Sequence, residues 1–412
     1  MSPRPEVPRP RPRVAVLGGT VPLVRHAHAL GVDVVLLQRP DDIDASLRPL
    51  VETIVPADYG DTDTAVRVLG PLHRARPFRL VLSLTEDGLV SSAEAAQRFG
   101  LSLNPPKVAR LLRDKAAMRA RLNDAGLGPV RARTVRSASA LAAFAAEVGG
   151  PVILKPVRGT GSAYVRRLDS PADAARTWAG LPERETGELL AEEYLEGPEV
   201  SVEAFSHQGR HTVVACTDKL VLDNFVEIGH TVPSRMAAAD HAAVAELVTD
   251  FLDLTGLREG PSHTEVKLTP AGPRIIESHN RVGGDKIRVL VAHATGLDLS
   301  RLALSVPLGL EPAPGDLPQP RAGASIRFLT PPPGVVRSVE VPPLTDPHAE
   351  VEVTVAAGDT VSRPDSSDAR IGHVLAVGAD AADAERACLE LARRVRVVTG
   401  PEKTALLPEA TR

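Results

Sequence analysis

Two lysines and a handful of carboxylates sit where their types and spacing permit phosphate and metal chemistry. Lys155 ends the apolar run Val152-Ile153-Leu154 and stands three residues before the loop Arg158-Gly159-Thr160-Gly161-Ser162. A buried ammonium is costly unless an anion accompanies it, so a phosphate group is a natural partner. At Gly159 and Gly161 no Cβ would keep backbone N–H groups of this loop away from phosphate oxygens. The same residues also fit a lysine that snorkels to water from a sheet edge, followed by an ordinary hairpin turn. Glu265 and Glu277 fall on two further strand-like runs, SHTEVKL (262–268) and PRIIESHN (273–280), joined by the turn Thr269–Gly272. Two inward carboxylates on one hairpin are strained without a cation. Oxygen ligands of this kind suit Mg²⁺, with phosphate oxygens completing its shell. Two solvated strand charges are the alternative, which Arg281 and the loop VGGD (282–285) directly beyond make less attractive.

The elements that must hold these residues follow from hydrophobic period and turn chemistry. Residues 1–12 alternate proline with charge and read as a disordered tail. From Arg13 a short apolar strand runs to Gly18-Gly19. A helix over 22–30, a strand over 32–38, a strand at 53–58, a helix near 61–69, an apolar run through Leu80 and a helix over 88–99 then follow. Strands alternating with helices predict a small, mostly parallel sheet. The Gly18-Gly19 pair reads as a tight turn before it reads as a ligand loop. Asn104-Pro105-Pro106 reads as a breaker, followed by a helix carrying Asp114 and Lys115 to about Ala125. Beyond it come strands over 130–135 and 152–157 separated by a helix over 138–148, then strands at 189–195, 199–205 and 211–222 and a helix over 238–254. Helices near 285–296 and 298–306 precede a proline-marked linker through Pro312, Pro314, Pro318 and Pro320. The last block predicts several short strands, a helix over 380–394 and the strand RVRVVTG.

Composition bounds the rest. A chain of 412 residues, 43% apolar and 24% charged, has the balance of a water-soluble protein of two or three domains. A net charge of −4 gives no basic field for nucleic acid or an anionic membrane. Two cysteines, Cys216 and Cys388, build neither a disulfide framework nor a cysteine-rich zinc site, so a reducing cytoplasm is the expected compartment. No apolar run approaches the roughly 20 residues of a membrane span. No Gly-Lys dipeptide occurs, which excludes a Walker-type phosphate loop, and neither H-E-x-x-H nor G-x-S-x-G is present. Of 48 basic residues only 7 are lysine. A lysine on a strand or beside a glycine loop is therefore more informative here than usual.

Four segments in this order, DKAAMR (114–119), ILKPVRGTGS (153–162), EEYLEGPEVSVE (192–203) and HTEVKLTPAGPRIIESHNRVGGD (263–285), resemble the ATP-grasp superfamily. The likeness is to its carboxylate–amine ligases and the L-amino acid ligase group, and it runs from about Arg13 to Arg396. It implies an α/β (α+β) chain with an N-terminal parallel α/β domain (13–112), an ATP-grasp domain (113–315) with a mobile lid at about 130–195, and a C-terminal β-rich domain (316–412). It also implies that Lys115 and Lys155 contact ATP phosphates, that Gly159, Thr160, Gly161 and Ser162 form the lid over them, and that Glu192, Glu193, Tyr194 and Leu195 lie along adenine. Glu199 then matches the carboxylate that holds the ribose hydroxyls. Glu265 and Glu277 match the ligands of two Mg²⁺ ions, for which Mn²⁺ can substitute. At the third ligand position the family often has Asn, whereas here it is His279, with Asn280 next. Arg281 matches the arginine that holds the reacting carboxylate and its tetrahedral intermediate. The segment Phe225–His230 resembles a substrate-lining block, in which Glu227 would meet a substrate ammonium and His230 would stand beside it, with Gly283 and Gly284 also lining the substrate.

The implied reaction is ATP-dependent amide formation through an acyl phosphate, with a small carboxylic acid and an amine as partners, no nucleic acid or membrane, and a homodimer as a possible assembly. Phosphorylation turns a carboxylate, whose leaving group would be oxide, into an acylating agent that an amine can attack. Two other readings stand beside it. The C-terminal IGHVLAVGADAADAERACLELARRVRV is similar to the closing segment of biotin carboxylase, with Asp285 where an acidic group could act as base. A nucleotide-binding regulator that uses the fold as a switch is the third.

Overall fold

The computed structural model describes residues 11–101, 103–159, 161–182, 188–315 and 319–401. Thr160, assigned above to the phosphate loop, lies outside the described residues, as do the tail residues 1–10. Contacts divide the chain into two compact units: residues 1–130, 200–216 and 236–319 in the first, and 131–199, 217–235 and 320–412 in the second.

The first unit opens with a four-stranded parallel sheet ordered Thr53–Pro56, Asp33–Gln38, Arg13–Leu17, Leu80–Leu82. Its strands are apolar on both faces, as a sheet covered by helices requires. Val14, Val16, Leu36 and Leu80 bury one side, while Ala15, Leu17, Val35, Leu37 and Val81 bury the other. Pro22 sits in the first turn of the helix Val21–Ala29, where its missing N–H costs nothing. Gly18 has φ +65°, and a Cβ there would come within 2.5 Å of Thr85 Oγ1, so the Gly18-Gly19 pair is a packed tight turn.

Asn104-Pro105-Pro106 breaks the chain as expected, between the helices Leu89–Arg98 and Pro106–Arg113, and the helix expected to follow it is two helices. Pro106 starts a helix, Pro106–Arg113, because proline is tolerated at a first helical position. Asp114 closes that helix and caps the next, Lys115–Asp124, by accepting a 2.9 Å bond from the Ala117 amide. The hairpin Gly260–Thr269 and Gly272–His279, the strand from Val200 and the helix Ala238–Thr255 complete the unit. Val202, Ala204, Val248, Phe251, Val266 and Ile275 form its core.

In the second unit a four-stranded antiparallel sheet runs in the order Ala132–Val135, Leu189–Glu193, Val152–Pro156, Arg166–Leu168. Leu141 and Phe144 of the helix Ala138–Val148 pack on Val152, Leu154 and Leu189. The segment Phe225–His230, read from sequence only as a pocket lining, carries most of a strand, Glu227–Val232. That strand pairs with Arg210–Val221 and with Gly323–Phe328, which pairs in turn with Gly372–Gly378. The helix Ala381–Arg394 covers Val374 and Ala376 through Cys388 and Leu391. Among the described residues no helix is long and apolar enough to cross a membrane.

Candidate active site

The sequence-predicted residues fall into two groups of buried charge, one in each unit. In the first unit the hairpin register sets Glu265 directly opposite Glu277, with a bulge immediately after Glu265. Like charges in direct cross-strand register repel. The nearest compensation is Lys115, at the start of its helix, whose Nζ lies 2.9 Å from Glu277 Oε2. Burial alone would lower the Lys115 pKa, but Glu277 outweighs it, with help from Glu86 and Glu265, and raises it. Burial works against ionised Glu277 in the same way. Lys115 and His279 overcome it and hold that carboxyl well below its ordinary range.

His279 stands between two acids, with Nε2 3.2 Å from Glu277 Oε1 and Nδ1 3.2 Å from Glu86 Oε2. Burial would keep the ring neutral, yet Glu277 and Glu86 raise its pKa. Arg281 donates from Nε to Glu86 Oε2 at 2.7 Å and from Nη1 to the Val282 carbonyl. Glu86, half buried at the end of the parallel sheet, is held down at about 2: burial opposes this, but His279 and Arg281 prevail. On the other flank of the hairpin, His263 lies 2.6 Å from Glu203 Oε1 and 3.4 Å from Glu265 Oε1. Burial pulls its pKa down, but Glu203 and Glu265 push it up to about 10. Gly283 packs where a Cβ would come 3.0 Å from Glu203 Oε2, whereas Gly284 has open space around it.

This group fits a hard divalent cation. Its donors are two opposed carboxylates, and a cation between them would remove the repulsion that the hairpin register imposes. Lys115 faces Glu277, Arg113 and Arg281 face Glu86, and each histidine lies between two carboxylates. A histidine nitrogen can serve as a metal ligand only without its proton.

In the second unit Lys155 is buried against Glu192, Nζ to Oε2 2.6 Å, with side chains 6% and 7% exposed. Glu193 and Tyr194 use their amides internally, donating to the carbonyls of Arg131 and Pro151 at 2.9 Å. The Glu193 carboxylate accepts from the Arg131 amide and Nε, and the Arg167 guanidinium lies 4.3 Å over the Tyr194 ring. Leu195 follows at the end of this segment. Gly161, Ser162 and Tyr164 have φ of +65°, +57° and +60°. Left-handed backbone at Ser162 and Tyr164 is unusual for side-chain-bearing residues and marks the loop as a constrained shape. The Gly161 carbonyl accepts from the Ser367 amide at 3.2 Å. Glu199 and Glu227 meet on the ammonium of Lys219, which is 2.8 Å from Glu199 Oε1 and bonded to Glu227 Oε1. His230 is buried, 3.9 Å from Glu227 Oε2 and edge-on to Phe328.

Sequence reasoning missed Lys219, Glu86, His263 and Glu203. Lysine scarcity could have exposed Lys219, the one lysine of the strand Arg210–Val221. Nothing local marks Glu86, whose partners His279 and Arg281 lie about two hundred residues away and whose third, Arg113, lies on another helix.

Comparison with known proteins gives this arrangement a lineage. Residues 24–102 match the family model of an ATP-grasp N-terminal domain, 148–288 that of an ATP-grasp domain, and 327–400 that of L-amino acid ligase C-terminal domain 2. Carnosine synthase 1 of Gallus gallus is 32% identical over 300 residues, which cover 66% of this chain and 32% of that protein. Alanine–anticapsin ligase of Bacillus subtilis (strain 168) is 27% identical over 238 residues, covering 52% of this chain and 50% of the relative. The chain thus spans about a third of the carnosine synthases it matches. The crystal structure of an L-amino acid ligase from Bacillus licheniformis shares the fold over 95% of this chain and 100% of that one, with a TM-score of 0.78 at 21% identity.

Proposed function

The chain belongs to the ATP-grasp superfamily, where it is related to the carboxylate–amine ligases, and from that premise we propose that it joins a small carboxylic acid to an amine at the expense of ATP. One observation carries the reading: Glu265 and Glu277 oppose each other in register with Lys115 bound to one of them. That is the charge pattern a phosphoryl transfer with a bound cation needs.

Lys115 and Lys155 would neutralise the migrating γ-phosphoryl, each released toward phosphate from a carboxylate that now fixes its position. Mg²⁺ held by Glu265 and Glu277 would supply further charge neutralisation on the phosphates. The loop Gly159–Ser162 would keep water from the acyl phosphate, which hydrolysis would otherwise waste. Glu192 to Leu195 would lie along adenine and Glu199 would accept from the ribose hydroxyls. A carboxylate oxygen of the acid attacks the γ-phosphorus and ADP leaves. The amine then attacks the acyl carbon and expels phosphate, and Arg281 stabilises the oxyanion between the two events. Glu86 holds the Arg281 fork in one orientation until substrate arrives. Glu227, with His230 beside it, would receive an amino-acid substrate. On this reading residues 13–112, 113–315 and 316–412 act as three functional segments.

The match of residues 327–400 to an L-amino acid ligase domain supports an amine acceptor over the carboxylase alternative. A screen of acid–amine pairs for ATP-dependent phosphate release, with mass identification of the product, tests the proposal. Phosphate release dependent on both an acid and an amine is expected. Release driven by bicarbonate with no amine would favour the carboxylase, and no turnover with any pair would favour a regulator.

A further inference from the structure

Lys219 has no part in the ligation scheme, yet it is the most enclosed lysine among the described residues of the second unit, its side chain 1% exposed. It lies near the end of the strand Arg210–Val221, opposite His230 in the ladder. Its ammonium takes one oxygen from each of two acids, Oε1 of Glu199 and Oε1 of Glu227. These three residues come from three different strands. Glu199 begins Glu199–His207, and Glu227 begins Glu227–Val232.

The backbone around Glu227 is built to keep this meeting in place. A bulge between Leu220 and Val221 shifts the register so that Glu227 pairs with Val221. The turn before it closes through the bonds Phe225 N to Leu222 O and Leu222 N to Val226 O, both 2.9 Å. Phe225 adopts φ +69°, a costly conformation for a bulky residue. Arg370, stacked over Phe328, donates to the Glu227 carbonyl at 3.1 Å. Two carboxylates, 12% and 15% exposed, would repel each other in so enclosed a place, and the ammonium removes that repulsion. An ammonium has three donors and fixes two acceptors at once.

Resting on the reading that Glu199 receives the ribose hydroxyls, we propose that Lys219 is a positioning residue for the nucleotide sugar. It clamps one oxygen of Glu199 so that the carboxylate presents its second oxygen in a fixed direction, and it uses Glu227 as the counter-anchor. Ribose recognition then depends on a lysine that does not touch the nucleotide, and the ribose carboxylate shares its ammonium with the acid assigned to the amine substrate.

Titration calorimetry of the full chain with MgADP and with the Mg²⁺ complex of 2′,3′-dideoxy-ADP reads the sugar contribution directly. Wild type should bind ADP about tenfold or more tighter than the dideoxy compound, the size of effect expected from hydrogen bonds to a charged acceptor. Lys219→Met should bind both nucleotides with the ratio reduced to about twofold or less, and Lys219→Arg, which can still span both acids, should restore most of it. Should Lys219→Met not fold, Lys219→Met/Glu227→Gln removes the surplus buried charge and should show the same loss of ratio. An unchanged ratio in the folded Met variant overturns the proposal, even when both nucleotides weaken equally, since that is what a merely structural lysine produces. A wild-type chain that binds both nucleotides equally takes the sugar away from Glu199 and overturns it too. A wild-type chain that binds neither nucleotide overturns the ligase reading itself.

Discussion

The two groups of buried charge are assembled in opposite ways. In the first unit Glu265, Glu277, His263 and His279 come from a single hairpin, to which Lys115, Glu86 and Glu203 are added. In the second unit Lys155, Glu192, Glu199, Lys219 and Glu227 come from five separate strands. The charge balance differs as well. The first group sets a lysine, two arginines and two histidines around its four carboxylates, whereas the second sets two lysines against three carboxylates. A group balanced by histidines can exchange protons for a metal ion, and one balanced by lysines cannot at neutral pH. On the proposed function, metal chemistry would fall to the hairpin and positioning of nucleotide to the strand-built group.

Breaking the second group should have the largest effect. Lys155→Ala leaves Glu192 buried without its 2.6 Å partner, so stability should fall by about 3–5 kcal/mol and ATP-dependent ligation should be lost. Thermal melts and phosphate release measure the two consequences, and normal turnover in this variant would remove Lys155 from the site. In the hairpin, Glu277→Gln conserves volume and removes only charge. Mg²⁺-dependent phosphate release should drop by about 10³-fold with an unchanged circular dichroism spectrum. Full activity at ordinary Mg²⁺ concentration would mean that the opposed carboxylates hold no cation.

Arg281→Lys sharpens the division of labour within the hairpin group. It keeps the charge but loses the planar fork, so amide formation should fall by about 10²–10³-fold while ATP affinity holds. A collapse of ATP binding, with the later steps normal at saturating nucleotide, would move Arg281 from the acyl group to the phosphates. The smallest effect on turnover is expected for His263→Gln, whose mark is on stability. Folding raises the His263 pKa from its ordinary value near 6.5 to about 10. Its contribution is complete below pH 6.5 and is lost as pH rises through 10, by about 1.4 kcal/mol per pH unit in between. The unfolding free energies of wild type and variant should converge over that window. A constant gap would show that the ring is neutral in the folded chain.

The same contrast explains what could be read from sequence. The hairpin was legible because its two strands are joined by a four-residue turn, so alternation and turn chemistry alone bring Glu265 to Glu277. The parallel sheet at the N-terminus was legible for a similar reason, since three of its four short apolar strands are followed by a helix within a few residues. Asn104-Pro105-Pro106 was legible as a break, but the single helix expected after it is two, because Asp114 leaves helical backbone to cap the second. The strand Glu227–Val232 was hidden by its mixed composition, since Gly229 and His230 interrupt any period and one of its two neighbours, Gly323–Phe328, is distant in sequence. Lys219 was missed because its partners are 20 residues before and 8 residues after it, a spacing without local signature.

Acyl phosphate formation is the centre of the account, and isotope transfer tests it most directly. Once an acid–amine pair is found, the acid is supplied with ¹⁸O in both carboxyl oxygens and the released phosphate is weighed by mass spectrometry. One carboxylate oxygen must leave with phosphorus if ATP activates the acid, so each phosphate should carry a single ¹⁸O and the amide should keep the other. Unlabelled phosphate released alongside amide product would contradict an acyl phosphate, and with it the roles given to Lys115, Lys155 and Arg281.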